Sequence, residues 1–145
     1  MKRLLAVLVL FVPFSALADD KDKLHGKWMG KAGPEDSVVL NLNFDKDKST
    51  IEISFTTAMG DEKKISGVYA ITPTAKPQPT MSWTKMKVDD RDLPDKLSIY
   101  QVSDDGKTLK IASQADGQAP SEFVEKLGAT KGNTLVFTKV TDDKK

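Results

Sequence analysis

Val38-Val39-Leu40-Asn41-Leu42-Asn43-Phe44-Asp45-Lys46-Asp47-Lys48-Ser49-Thr50-Ile51-Glu52-Ile53-Ser54-Phe55 is the stretch that decides the fold. Val38, Leu40, Leu42 and Phe44 fall on one face of an extended chain, with Asn41 and Asn43 on the other. Ile51, Ile53 and Phe55 repeat the pattern against Glu52, Ser54 and Thr56. A period of two is what a strand with one dry and one wet face requires. Between the runs, four charged residues (Asp45 to Lys48) supply the polar tip of a hairpin.

The same reading extends outward. Strand-like runs cover residues 25–32, 63–72, 80–88, 95–102, 108–113 and 133–140. Turn chemistry separates them at Met59-Gly60-Asp61, Asp104-Asp105-Gly106 and between Gly128 and Gly132. About eight short strands with tight links and no long helical period predict an all-β antiparallel barrel. Residues 120–127, with Phe123, Val124 and Leu127, are expected to form at most a short helix before the last strand. Residues 72–80 carry three prolines, which cannot donate to a ladder, and so predict a crossing loop or an edge. The charged ends, 19–23 and 142–145, read as frayed tails.

Ahead of the strands stands an export address. Lys2 and Arg3 precede an apolar run from Leu4 to Phe14, and Ala16-Leu17-Ala18 offers the small residues of a cleavage site. The run is shorter than the roughly 20 residues of a membrane span. The expectation is a signal peptide over 1–18, cleavage after Ala18, and a secreted or periplasmic domain over 19–145. That domain has 127 residues, enough for a core without disulfides, and the chain contains no cysteine. The leader holds two bases and no acid, so the mature chain balances 20 Lys and Arg against 21 Asp and Glu. A net charge of −1 gives no electrostatic case for nucleic acid or an anionic membrane.

Leu24-His25-Gly26-Lys27-Trp28 resembles the first-strand signature of lipocalins, in which glycine bends the strand and tryptophan plugs the barrel base. That resemblance implies a cation from the last strand lying over the tryptophan, and Lys139 is the candidate. Gly26, Trp28 and Lys139 are thus expected to close the barrel. A longer series of motifs spans the mature chain. It runs through Gly67-Val68-Tyr69-Ala70-Ile71-Thr72-Pro73 with Pro77, Ile99-Tyr100, Asp105 with Leu109-Lys110-Ile111, Pro120-Ser121-Glu122-Phe123, and Leu135-Val136-Phe137-Thr138-Lys139. Its order and spacing resemble an uncharacterised secreted lipocalin-like domain family expanded in Planctomycetes. The likeness implies an exported barrel and carries no established activity. Thr72 stands where that pattern has an acid, and Ala119 and Lys139 stand where it has arginines.

The residues of chemistry are sparse. One histidine and no cysteine leave His25 as the sole imidazole, on the segment that closes the barrel, where a capping role is expected rather than general-base work. Zinc requires about four N or S ligands, which this chain lacks. A calcium loop starting at Asp45 fails, because its sixth position is Thr50 and its twelfth Thr56. Asp89-Asp90-Arg91-Asp92 reads as a solvated loop. No enzyme, metal or cofactor is expected.

The remaining capacity is the lumen. Barrels of eight strands either fill with side chains or hold one small ligand. Leu40, Leu42, Phe55, Tyr69, Met81, Trp83, Ile99 and Ile111 are the expected lining, within an inward set that also takes Leu97 and Leu109. Met81 and Trp83 are placed at a pliable mouth beside the proline-rich loop. Two functions follow: a secreted module binding a small apolar or amphipathic ligand, or a solid barrel contacting another extracellular protein through residues 73–79 or Ala119-Pro120.

Overall fold

The computed structural model describes residues 14–57, 59–125 and 133–141. Alternating apolar residues produce nine strands: β1 (Gly26–Ala32), β2 (Val38–Asp45), β3 (Thr50–Thr56), β4 (Glu62–Thr72), β5 (Thr80–Val88), β6 (Arg91–Asp92), β7 (Lys96–Val102), β8 (Thr108–Ala112) and β9 (Thr134–Lys139). A 3-10 turn, Pro34–Asp36, joins β1 to β2. Every pairing is antiparallel. The order runs β4-β3-β2-β1-β9-β8-β7-β5, and β4 pairs again with β5. That last pairing closes an eight-stranded up-and-down barrel of the lipocalin-like kind, leaving no free edge in the ring. β6 is a two-residue flap on β5, turned by Asp89 and Asp90, both with positive φ as tight hairpins prefer.

Register fixes which side chains enter. Trp28 sits opposite both Leu42 and Lys139, Tyr69 opposite Trp83, and Tyr100 opposite Ile111. Directly opposed residues share a face. Met81 opposite Ser98 and Trp83 opposite Lys96 therefore turn Ser98 and Lys96 inward on β7. Leu97 and Ile99 face out, a one-residue slip from the sequence expectation, and one residue is all a face reversal needs. Ile99 is nonetheless buried, as is Ala112 beside it. The segment after β8 is tethered along this outer face, where Leu97 N–H donates to Gly117 O at 2.8 Å and Lys110 Nζ meets Glu125 Oε1 at 2.6 Å. With a covered outer face the middle of β7 is buried on both sides, and apolar alternation no longer marks the interior.

One seam needs a special residue. β4 and β5 lose register between Ser66 and Val68. Lys85 and Met86 together oppose Gly67, with Lys85 at φ 52°, so β5 bulges there. A Cβ on Gly67 would lie 2.2 Å from Met86 Sδ and 3.0 Å from Thr84 O. Glycine at this inward position gives Met86 the space to enter the barrel.

The helix is not where the sequence placed it. Residues 120–125 carry no helix, and 126 and 127 lie outside the described residues. Instead α1 (Phe14–Leu24) precedes β1 and packs on β4 and β7 at the end of the barrel where β1 begins. Residues 19–23, read as a frayed tail, belong to this helix; 142–145 lie outside the described residues. Leu24 is fully buried in the core. Tyr100 Oη donates to Asp20 Oδ2 at 2.7 Å, Lys21 Nζ to Ser49 Oγ at 3.3 Å, and Lys46 pairs with Asp22. Polar bonds from Asp20, Lys21 and Asp22 hold α1 to the barrel, with Leu24 as its buried apolar anchor.

Candidate functional site

The two ends of the barrel differ. At the α1 end, Trp28 is fully buried and its indole N–H donates to Leu24 O at 2.8 Å. Lys139 Nζ lies 5.1 Å from the Trp28 ring centroid and donates to Lys23 O at 2.6 Å. Burial holds its ammonium below the usual lysine range, and the carbonyl and the indole face replace part of the lost water. Gly26 takes φ 108°, a conformation open to glycine and strained for other residues. The three closure residues expected from the first-strand signature are thus brought together. His25 is exposed beside them, its Nδ1 3.0 Å from Phe44 O, and among the described residues no nucleophile or carboxylate is hydrogen-bonded to the ring.

Above this plug the lumen is filled. Phe44, Ile51, Tyr69, Met81, Tyr100 and Leu109 are all buried within one cluster. Phe44 meets Tyr69 edge-on at 5.0 Å and Trp83 at 6.4 Å. Tyr69 Oη is buried with no hydrogen-bond partner among the described residues, and its phenol is pushed up by burial first and by the Asp45 charge second. Met81 is packed in this layer, and the proline-rich loop after β4 lies at the α1 end. The expected mouth at Met81 is therefore corrected: that end is the closed one.

At the opposite end lies a cavity of about 230 Å³. Leu40, Leu42, Ile53 and Ile65 form one wall; Trp83 and Met86 form the β5 side; Ile111, Leu135 and Phe137 complete the circuit. Leu93 and Pro94, from the link between β6 and β7, stand at the rim. Of the expected lining, Leu40, Leu42, Trp83 and Ile111 border this space. Phe55 shares their face and is half-buried outside it, Tyr69 and Met81 are in the packed layer, and Ile99 faces out of the barrel.

Three polar residues also border the cavity: Lys96, Ser113 and Asn133. Sequence patterning did not single them out. Lys96 looks like a solvated strand end, and only the inward register of β7 brings it to the wall. Behind them, Trp83 Nε1 donates to Ser98 Oγ at 2.7 Å, and Ser98 Oγ lies 2.7 Å from Ser113 Oγ. Among the described residues Ser98 is the one buried polar residue, fully enclosed. Among the described residues no group of three or more His, Cys, Asp or Glu could hold a metal ion, and no helix is long and apolar enough to cross a membrane. No protein-family model, curated protein or solved structure matches the chain.

Proposed function

We propose that this protein is an exported, non-enzymatic lipocalin-like carrier that takes one small apolar or amphipathic molecule into the open half of its barrel. The carrying observation is the cavity itself: an apolar space of about 230 Å³ above a densely packed, sealed base. Preformed concave sites with few polar groups are the usual form of small-ligand pockets, and this one is smaller than their usual range of about 300–1,000 Å³, which suits a small ligand. Export is supported by the leader pattern of residues 1–18. The helix contacts at the base come from Asp20, Lys23 and Leu24, all of which follow the expected cleavage position within α1. The sparse chemistry of the chain supports a carrier over an enzyme, and the motif series supports kinship with the planctomycete secreted domains. A second reading, a barrel that docks another extracellular protein, draws support from Met29, Val136 and Val140, exposed along the outer side of β1, β9 and the residue after it.

Native mass spectrometry of the protein recovered from exporting cells tests the carrier reading. A discrete, dissociable added mass on a chain beginning at Asp19 is the expected result. A bare mass that stays bare after challenge with lipid extracts overturns it.

A further inference from the structure

The polar side of the cavity has a direction. An indole N–H can only donate, so Trp83 fixes Ser98 Oγ as its acceptor at 2.7 Å. Ser98 is fully buried, and its one hydroxyl hydrogen has Ser113 Oγ, 2.7 Å away, as its partner. Were Ser113 the donor instead, Ser98 would accept twice and leave its own hydrogen orphaned in the core, a costly arrangement. The chain therefore runs Trp83 to Ser98 to Ser113, and the Ser113 hydrogen is left for the cavity that Ser113 borders.

The two neighbouring polar groups have the same sense. Asn133 Oδ1 already accepts from Val124 N–H at 2.8 Å and from Thr134 Oγ1 at 2.9 Å, which fills both lone pairs. Its Nδ2 gives one hydrogen to Glu122 O at 3.2 Å, and among the described residues the other has no acceptor. Lys96 carries only donors, and among the described residues its ammonium has neither an ion-pair nor a hydrogen-bond partner. The side chains of Ser113, Asn133 and Lys96 thus offer hydrogens, and one of them offers positive charge. Among the described residues no carboxylate borders the space.

We infer that the cavity selects a short-chain aliphatic carboxylate, its chain among Leu40, Ile53, Ile65 and Leu135 and its head on Ser113 and Lys96. This rests on the carrier reading and narrows it to one head group. A carboxylate accepts from both donors and is paired with the ammonium; an alcohol satisfies the hydroxyl alone; an amine repels Lys96.

Titration of the mature protein with octanoate, 1-octanol and octylamine, followed by calorimetry and by tryptophan fluorescence, separates the alternatives. Octanoate is expected to bind at least about tenfold more tightly than octylamine, with octanol between. Lys96→Gln should remove the advantage of octanoate over octanol, and Ser113→Ala should weaken both. Circular dichroism of each variant establishes its folded state, and Ser113→Thr, which keeps a hydroxyl, should retain binding if Ser113→Ala fails to fold. Equal affinity for all three probes, or an octanoate preference unchanged in Lys96→Gln, overturns the head-group assignment and leaves the carrier standing. Binding of none of the three overturns the head-group assignment; whether the carrier falls with it is read from the native mass and the lipid challenge.

Discussion

Tyr69 and Tyr100 are both buried in the barrel, yet their hydroxyls are in opposite situations. Tyr100 donates to the Asp20 carboxylate of α1, and Tyr69 Oη has no partner among the described residues. Removing a hydrogen bond to a charged group costs about 1.5–3 kcal/mol, whereas deleting an unsatisfied buried hydroxyl relieves a penalty. Tyr100→Phe should therefore lower stability by about 2 kcal/mol, and Tyr69→Phe should leave it unchanged or raise it by about 1 kcal/mol, read from urea midpoints. A loss at Tyr69 comparable to that at Tyr100 would show that its hydroxyl is satisfied. Both phenols are pushed up, Tyr69 and Tyr100 alike chiefly by burial, with the Asp20 hydrogen bond adding at Tyr100. A raised phenol means that the folded state keeps a proton the unfolded chain releases near pH 10. Stability from this source is whole below about pH 10 and falls as pH rises beyond it. In Tyr100→Phe that alkaline fall should be shallower. None of this was legible in the sequence, because Asp20 and Tyr100 are separated by 80 positions and only the closed barrel makes them neighbours.

At the scale of elements, the strands announced themselves wherever one face was wet. β3 and β2 from Leu40 onward alternate apolar with polar residues, and the Gly26, Trp28 and Lys139 closure followed from their places on first and last strands. β7 was placed as a strand with its two faces exchanged, because its outer face is covered and Leu97 and Ile99 there look like core residues. Ser98 is then the informative residue: a buried serine among apolar neighbours marks the inward face through its bond to Trp83. α1 escaped notice because the contacts of Asp20, Lys21 and Asp22 are polar bonds from a charged run that carries no apolar period. The β4–β5 seam was equally hidden, and it makes a sharp demand. Gly67→Ala puts a methyl into the Met86 side chain and against Met86 Cα and Thr84 O, each 3.0 Å away. Overpacking of this sort costs about 1–3 kcal/mol. The double variant Gly67→Ala, Met86→Ala should lose less than the sum of the two single losses, since the new methyl occupies space the methionine vacates. Strict additivity in thermal or urea unfolding would mean that the two residues do not share that space.

Across the whole molecule, one end of the barrel is built for stability and the other is left incompletely filled. The sequence left a filled lumen and a hollow one as alternatives, since composition fixes the number of large side chains and not their distribution along the barrel axis. The structure divides the lumen. Leu109 is fully buried, opposite Val102 of β7 and Phe137 of β9, whereas Leu135 on the adjoining strand borders the cavity. Enlarging the two leucines equally should then give unequal results. Leu109→Trp must displace packed neighbours and should destabilise by about 3 kcal/mol or more, the upper range of overpacking. Leu135→Trp can rotate its indole into the empty space, so its cost should stay below about 1 kcal/mol. The same substitution should abolish octanoate binding, because the indole takes the volume the chain would occupy. Equal destabilisation at the two sites, measured by chemical denaturation, would mean that the open half closes up in solution and that no cavity persists there. A tolerated Leu135→Trp that still binds octanoate would place the ligand elsewhere on the barrel.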